Sequence, residues 1–98
     1  ANTLNISATL TNTGPVNEGS EVAVTFDGVP DPGSYAYWFD WNSDGVFDTN
    51  AGDIVSGLSL QVTHKFDDNA GGPFTVTGRI VDAFGDYADR VLLSEVNP

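Results

Sequence analysis

The chain has 98 residues, of which 40% are hydrophobic, so it is long enough for a single small domain with one modest core. Three basic residues stand against 14 acidic ones, and the formal net charge is −11. Such a surface repels phosphate backbones, and no apolar run is long enough to cross a bilayer. We therefore expect neither a nucleic-acid partner nor insertion into a membrane.

Apolar residues alternate with polar ones along most of the chain, which predicts strands rather than helices. Segments rich in Gly, Pro, Asn and Asp separate the alternating runs, as turns do. The predicted strands are Leu4–Leu10, Glu21–Phe26, Ser34–Trp41, Leu58–Phe66, Phe74–Asp82 and Tyr87–Val96, with a short extra strand near Asp53–Val55. Short strands at this spacing favour an all-β fold, an Ig-like antiparallel β-sandwich of about seven strands, as one domain over residues 1–98.

The alternation also assigns side chains to faces. Tyr37, Phe39 and Trp41 share one face of their strand, which leaves Trp38 on the opposite one. An exposed indole can stack on a sugar or anchor a protein interface, so Trp38 is a candidate ligand-binding residue. The alternative is that a neighbouring strand, loop or module covers it. In the strand at 74–82, Gly78 leaves a gap in the inward-facing set.

One loop has the spacing of a calcium-binding motif. Alternate positions of a tight loop can aim several oxygen atoms at one hard cation, and a Gly permits the sharp turn. The candidate ligands are the side chains of Asp40, Asn42, Asp44 and Asp48 and the main-chain carbonyl of Val46. Position twelve of the motif is Ala51 rather than the usual bidentate Glu. The alternative is that these residues cap their own turns without any metal.

We expect no catalytic activity. A hydrolase needs a nucleophile beside a base, yet the chain has no Cys and its single histidine, His64, lies between Val62 and Phe66 in an apolar strand. That position is typical of a core side chain. Nor does the spacing of the carboxylates indicate a pair across a sugar-sized cleft.

Four segments, in order, resemble the sequence signature of PKD domains over about residues 16–96. The resemblance comprises the turn Phe26-Asp27-Gly28 to Asp31-Pro32-Gly33, the signature strand Tyr37-Trp38-Phe39-Asp40-Trp41-Asn42-Ser43-Asp44-Gly45, the strand Val62-Thr63-His64-Lys65-Phe66, and the strand from Phe74 to Asp82. Two details depart from the family pattern: the Asp-Gly part of the signature is longer here, and Trp38 occupies a position that is normally polar.

The resemblance implies a secreted or cell-surface module that is one of several in a larger protein. It also implies a second, weaker calcium site, because some members of the family bind the ion at one end of the sandwich. The matching positions are Asp31 and Asp82, with Asp27 as a further candidate. The alternative for Asp82 is that its side chain caps the turn Ala83–Gly85.

The expected function is therefore that of a non-catalytic extracellular or cell-surface module, which acts as a spacer or as a protein-interaction or adhesion domain. Calcium is the candidate cofactor, and neighbouring domains of the same chain are expected contacts. The alternative is an accessory domain of a secreted hydrolase that binds a carbohydrate or a matrix protein through Trp38.

Overall fold

The structure, a computed structural model, describes residues 3–41, 43, 45–47, 60–66 and 73–97. The strands in these residues are β1 (Thr9–Asn12), β2 (Val16–Asn17), β3 (Glu21–Asp27), β4 (Ala36–Asp40), β5 (Gln61–Lys65), β6 (Phe74–Val81), β7 (Tyr87–Ser94) and β8 (Val96–Asn97). Within the described ranges the helical structure amounts to a 3₁₀ turn at Pro32–Ser34, and no helix there could span a bilayer.

The strands form two three-stranded antiparallel sheets, with orders β1-β3-β5 and β4-β6-β7. The short strands β2 and β8 make a separate parallel pair. Hairpin neighbours β6 and β7 share one sheet, whereas β3 and β4 lie in different sheets, as in an Ig-like sandwich. The predicted fold class is confirmed.

The core lies between the two sheets and follows the predicted alternation. Phe26 of β3 projects from one sheet onto the other, where its ring centroid lies 5.7 Å from that of Tyr37 and 5.6 Å from that of Phe39. The gap expected at Gly78 is filled by this same ring, because a Cβ atom at position 78 would lie 2.5 Å from Phe26 Cζ. The residues that are at most 2% exposed in this core are Val22, Val24, Phe26, Tyr37, Phe39, Val76 and Ile80.

The predicted strand Leu4–Leu10 is wrong in extent, because β1 begins only at Thr9 and continues to Asn12. The preceding residues pass from one sheet to the other: Thr3 makes a parallel bridge to Tyr87 at the start of β7. The carbonyls of Ile6 and Ala8 do not join a strand ladder but accept hydrogen bonds from Arg90, at 2.7 and 2.8 Å. A guanidinium group therefore satisfies the backbone where the segment changes sheets.

Other strand boundaries differ from the prediction by a few residues. The strand expected at Ser34–Trp41 begins only at Ala36, because the chain first makes the 3₁₀ turn, and it ends at Asp40. The last predicted strand is divided at Glu95 into β7 and β8, and β2 was not predicted. The predicted extra strand near Asp53–Val55 lies outside the described residues.

Candidate binding surfaces

An arginine lies between aromatic rings on the solvent side of the β4-β6-β7 sheet. The strand register aligns Trp38 of β4 with Arg79 of β6, and Arg79 with Asp89 of β7. The guanidinium carbon of Arg79 lies 3.9 Å from the ring centroid of Tyr87, 4.9 Å from that of Phe47 and 5.9 Å from that of Trp38. We call Trp38, Phe47, Arg79, Tyr87 and Asp89 the outer-face cluster.

Electrostatic contacts hold the centre of the outer-face cluster. Arg79 donates two parallel hydrogen bonds to the carboxylate of Asp89, from Nε at 2.7 Å and from Nη2 at 2.9 Å. This bidentate geometry is the strong form of an Arg–carboxylate pair, and the hydrogen bond to Asp89 raises the pKa of Arg79. The pair favours the charged form of Arg79, and the aromatic faces around it make cation–π contacts.

Trp38 lies on the face that the alternation predicts, opposite the buried Tyr37 and Phe39. It is half-buried rather than open, since Phe47, from the loop after β4, packs its ring edge-on at 5.5 Å between centroids. The indole Nε1 of Trp38 is buried and finds no hydrogen-bond partner among the described residues. A loop thus covers part of the indole, and the ligand-binding role of Trp38 stays a prediction.

The predicted calcium loop is described only in part. Asp40 is 1% exposed, and its Oδ2 accepts a hydrogen bond from the backbone N–H of Gly45 at 3.1 Å. This hydrogen bond closes the loop between its first and sixth positions. The side chain of Val46, whose main-chain carbonyl is the predicted ligand, is 56% exposed. Asn42, Asp44 and Asp48 lie outside the described residues, so this ligand set stays a prediction.

Between these positions, Ser43 ties the loop to the outer face of β6. Its Oγ lies 2.8 Å from the carbonyl oxygen of Thr75 and 2.7 Å from Oγ1 of Thr77. Ser43 has a φ of 51°, a left-handed conformation that is unfavourable for a residue with a Cβ. The two hydrogen bonds offset that cost and hold Ser43 against β6.

Asp82, one of the two main residues of the second predicted calcium site, has a clear structural role. Oδ1 of Asp82 accepts the backbone N–H groups of Phe84 and Asp86, both at 2.9 Å, and so caps the turn between β6 and β7. Asp31 is exposed in a left-handed conformation with a φ of 49°. Asp27 accepts a hydrogen bond from Thr11. No group of three or more acidic or histidine side chains suited to a metal forms within the described ranges.

The end of the sandwich that carries these acids also exposes an aromatic ring. Phe84, at the tip of the β6–β7 turn, is 90% exposed. Beside it, between the 3₁₀ turn and the end of β6, lies an open groove of about 230 Å³ whose lining includes Tyr35, Val81 and Asp82. We call Phe84, this groove, Asp82 and the neighbouring Asp31 the hairpin end.

His64 packs with aromatic side chains. Its ring stacks on Trp41 with 4.2 Å between centroids and meets Phe66 at 4.6 Å. Phe66 and Trp41 are buried, so His64 borders the core. The expectation of a core side chain is met only in part, because His64 packs on core rings but is itself only half-buried.

Sequence reasoning did not identify Phe47, Arg79, Tyr87 or Phe84 as candidates. For Phe84 a signal was present, because an aromatic residue stood inside the predicted turn Ala83–Gly85, where burial is not expected. For Phe47 there was none, since its contact with Trp38 depends on the path of the loop.

Comparison with known proteins assigns no relationship: no family model matches the chain, and no curated protein matches it. The resemblance to PKD domains therefore depends on the four segments quoted above and stays a prediction.

Proposed function

We propose that the chain is a non-catalytic, PKD-like extracellular or cell-surface module of a larger protein, which spaces neighbouring domains and binds a protein partner. The observation that supports it best is that several side chains of types used in catalysis have structural roles here. His64 stacks against Trp41, Asp82 caps a turn, and Arg90 holds the carbonyls of Ile6 and Ala8. Among the described residues, the exposed Phe84 and the partly exposed outer-face cluster are groups suited to binding.

The charge distribution supports a binding role. Two of the three basic side chains, Arg79 and Arg90, are engaged within the domain, by Asp89 and by backbone carbonyls respectively. Three basic residues stand against 14 acidic ones, so the chain as a whole keeps a formal net charge of −11. A strongly acidic module repels its own copies and attracts basic surfaces.

Calcium is part of this proposal as the ion that stiffens the loop from Asp40 to Asp48. The closure of the loop by Asp40 and Gly45 supports it, because it holds the first ligand position next to the turn. The unfolding midpoint should then be higher in millimolar calcium than in EDTA, with a stabilisation of about 2.7 kcal/mol at a hundredfold excess over Kd. Asp44→Asn should abolish the difference, while Asp89→Asn, on the outer face, should retain it. An identical midpoint in calcium and EDTA would remove calcium from the proposal.

The binding class can be tested by retention of the isolated chain on insoluble polysaccharides, such as cellulose and chitin, and on immobilised matrix proteins. The proposal predicts no retention on the polysaccharides. The alternative, an accessory carbohydrate-binding domain, is favoured by the placement of Trp38 on the outer face. Polysaccharide retention that is lost in Trp38→Ala but kept in Val91→Ala, a matched change of a 66% exposed residue of β7, would establish that alternative instead. Thermal unfolding of both variants shows whether they are folded.

A further inference from the structure

Phe84 is held out into solvent by a rigid turn. Besides the two hydrogen bonds to Asp82 Oδ1, the backbone N–H of Asp82 donates to the carbonyl of Asp86 at 2.9 Å, and that of Gly85 donates to the carbonyl of Asp82 at 3.2 Å. Leaving a phenylalanine in water forgoes the stabilisation that its burial gives, about 1.5–3 kcal/mol. A turn that is fixed in this way presents the ring without further ordering, which lowers the entropic cost of binding.

The surroundings of Phe84 are acidic and partly apolar. Asp31 is exposed and caps nothing with its side chain. Asp82 uses Oδ1 for the turn, while its Oδ2 makes no hydrogen bond within the described part of the chain. The adjacent groove offers Val81 and the half-buried Tyr35. A ring, two carboxylates and an apolar groove thus lie at one end of the sandwich.

None of the chain's three basic side chains, all of which lie in the described part, is hydrogen-bonded to the hairpin end. Lys65 is in register with Glu21 at the start of β3, which is the opposite end of the sandwich. Arg79 is bonded to Asp89 on the outer face, and Arg90 is bonded to the carbonyls of Ile6 and Ala8.

In the outer-face cluster, aromatic rings and a carboxylate are combined with a cation. There, a guanidinium group lies over aromatic rings and pairs with a carboxylate. The hairpin end has the ring of Phe84 and the carboxylates of Asp31 and Asp82, but the guanidinium groups of Arg79 and Arg90 are bonded elsewhere. Cation–π contact and charge complementarity together favour a partner that provides a guanidinium group.

We propose that the hairpin end docks a basic, arginine-containing segment of a partner protein. The partner's guanidinium group lies over Phe84 and pairs with Asp82 or Asp31, and an adjacent apolar side chain of the partner enters the groove beside Tyr35. This inference builds on the proposed role as an interaction module and gives it a site and a partner chemistry.

The test is a titration of the ¹⁵N-labelled chain, followed by amide chemical shifts. The probe is a capped pentapeptide with two arginines around a leucine, and the control peptide has citrulline, which is uncharged, at both arginine positions. We expect the arginine peptide to shift the amides of residues 33–36 and 82–86, and the citrulline peptide to leave them in place. Phe84→Ala should weaken binding about tenfold, whereas Leu93→Ala, at an exposed position of β7, should not.

Three results would overturn the docking proposal: equal binding of both peptides, an unchanged affinity in Phe84→Ala, or shifts spread evenly over the acidic surface. Shifts of 31 and 82 by calcium alone, with none by the arginine peptide, would also overturn it and indicate a metal site. Because Phe84 is 90% exposed, the variant should unfold at the wild-type midpoint, which separates loss of binding from loss of fold. A failed titration leaves the proposed role as an interaction module standing, since its binding class is tested separately by retention on polysaccharides and matrix proteins.

Discussion

The two faces of the β4-β6-β7 sheet are built from alternate residues of the same strands and are stabilised in different ways. The inner face is close-packed: Tyr37 and Phe39 are fully buried, and Phe26 from the other sheet fills the space above Gly78. On the outer face, Arg79 is held between rings and paired with Asp89, and both side chains remain in contact with solvent.

The difference shows what each face can tolerate. In a close-packed region the stability depends on side-chain volume, so even one added methyl group on the inner face should be destabilising. A partly exposed cluster responds to charge and salt, because water screens it. We therefore expect inner-face variants to affect folding strongly and outer-face variants to affect it weakly.

The largest effect is expected for Gly78→Ala. The new methyl group would lie 2.5 Å from Phe26 Cζ and 3.1 Å from Leu10 Cδ2, so the ring of Phe26 and the side chain of Leu10 must move. We expect a loss of about 2–3 kcal/mol in the free energy of unfolding, measured by urea denaturation. Gly33→Ala is the matched control, because nothing lies within 4 Å of the added methyl group there, and it should change stability by less than about 0.5 kcal/mol. Equal effects of the two substitutions would contradict the packing described for Gly78.

The next effect is expected for Arg90→Ala, which removes the donors to the carbonyls of Ile6 and Ala8. These carbonyls lie where the chain changes sheets, and leaving them without partners should cost about 2 kcal/mol. Arg90→Lys keeps the charge but lacks the planar fork, so it should recover only part of the loss. Full recovery by lysine in urea denaturation would show that charge, rather than two-point hydrogen bonding, is what matters.

A smaller, pH-dependent effect is expected for Tyr37→Phe. The variant loses the 2.6 Å hydrogen bond from the Tyr37 hydroxyl to the carbonyl of Pro32, worth about 1 kcal/mol at neutral pH. Burial, with a further contribution from Tyr35, raises the pKa of Tyr37 from its ordinary value of 10.0. As pH rises above that value the unfolded chain ionises first, so the wild type loses stability through this group, while below it the group makes no pH-dependent contribution.

The measurement is urea denaturation of both proteins from about pH 8 to pH 11. The gap between wild type and Tyr37→Phe should narrow at the alkaline end. A constant gap over the whole range would show that the Tyr37 hydroxyl ionises equally in the folded and unfolded chains.

Much of the inner face could be predicted from the sequence, because a period of two decides which side of a strand each residue occupies. The alternation placed Phe26, Tyr37 and Phe39 inward correctly, and it marked Gly78 as a gap. It could not show that Phe26 fills that gap, since this depends on how two sheets pack. It also predicted too early a start for the first strand, because Ile6, Ala8 and Leu10 alternate in burial whether their backbone pairs with a strand or with Arg90.

Less of the candidate sites could be predicted. The face of Trp38 followed from the alternation, but its partial cover by Phe47 depends on the loop after β4. The capping role of Asp82 was one of two alternatives at the sequence level, since short carboxylates serve turns and cations equally well. Only the hydrogen bonds to the N–H groups of Phe84 and Asp86 show that the turn role is present.

The smallest effect is expected on the outer face, for Arg79→Ala. Arg79 and Asp89 have side-chain exposures of 24% and 36%, so the pair is partly screened, and its loss should cost about 0.5–1 kcal/mol at low salt. The cost should fall as sodium chloride is raised toward 1 M, because the Debye length shortens to about 3 Å. A double-mutant cycle with Asp89→Asn separates the ion pair from the ring contacts, since only the former is lost in both single variants. A loss above about 2 kcal/mol that ignores salt would mean that the outer face is as tightly packed as the inner one, and the contrast between the faces would no longer hold.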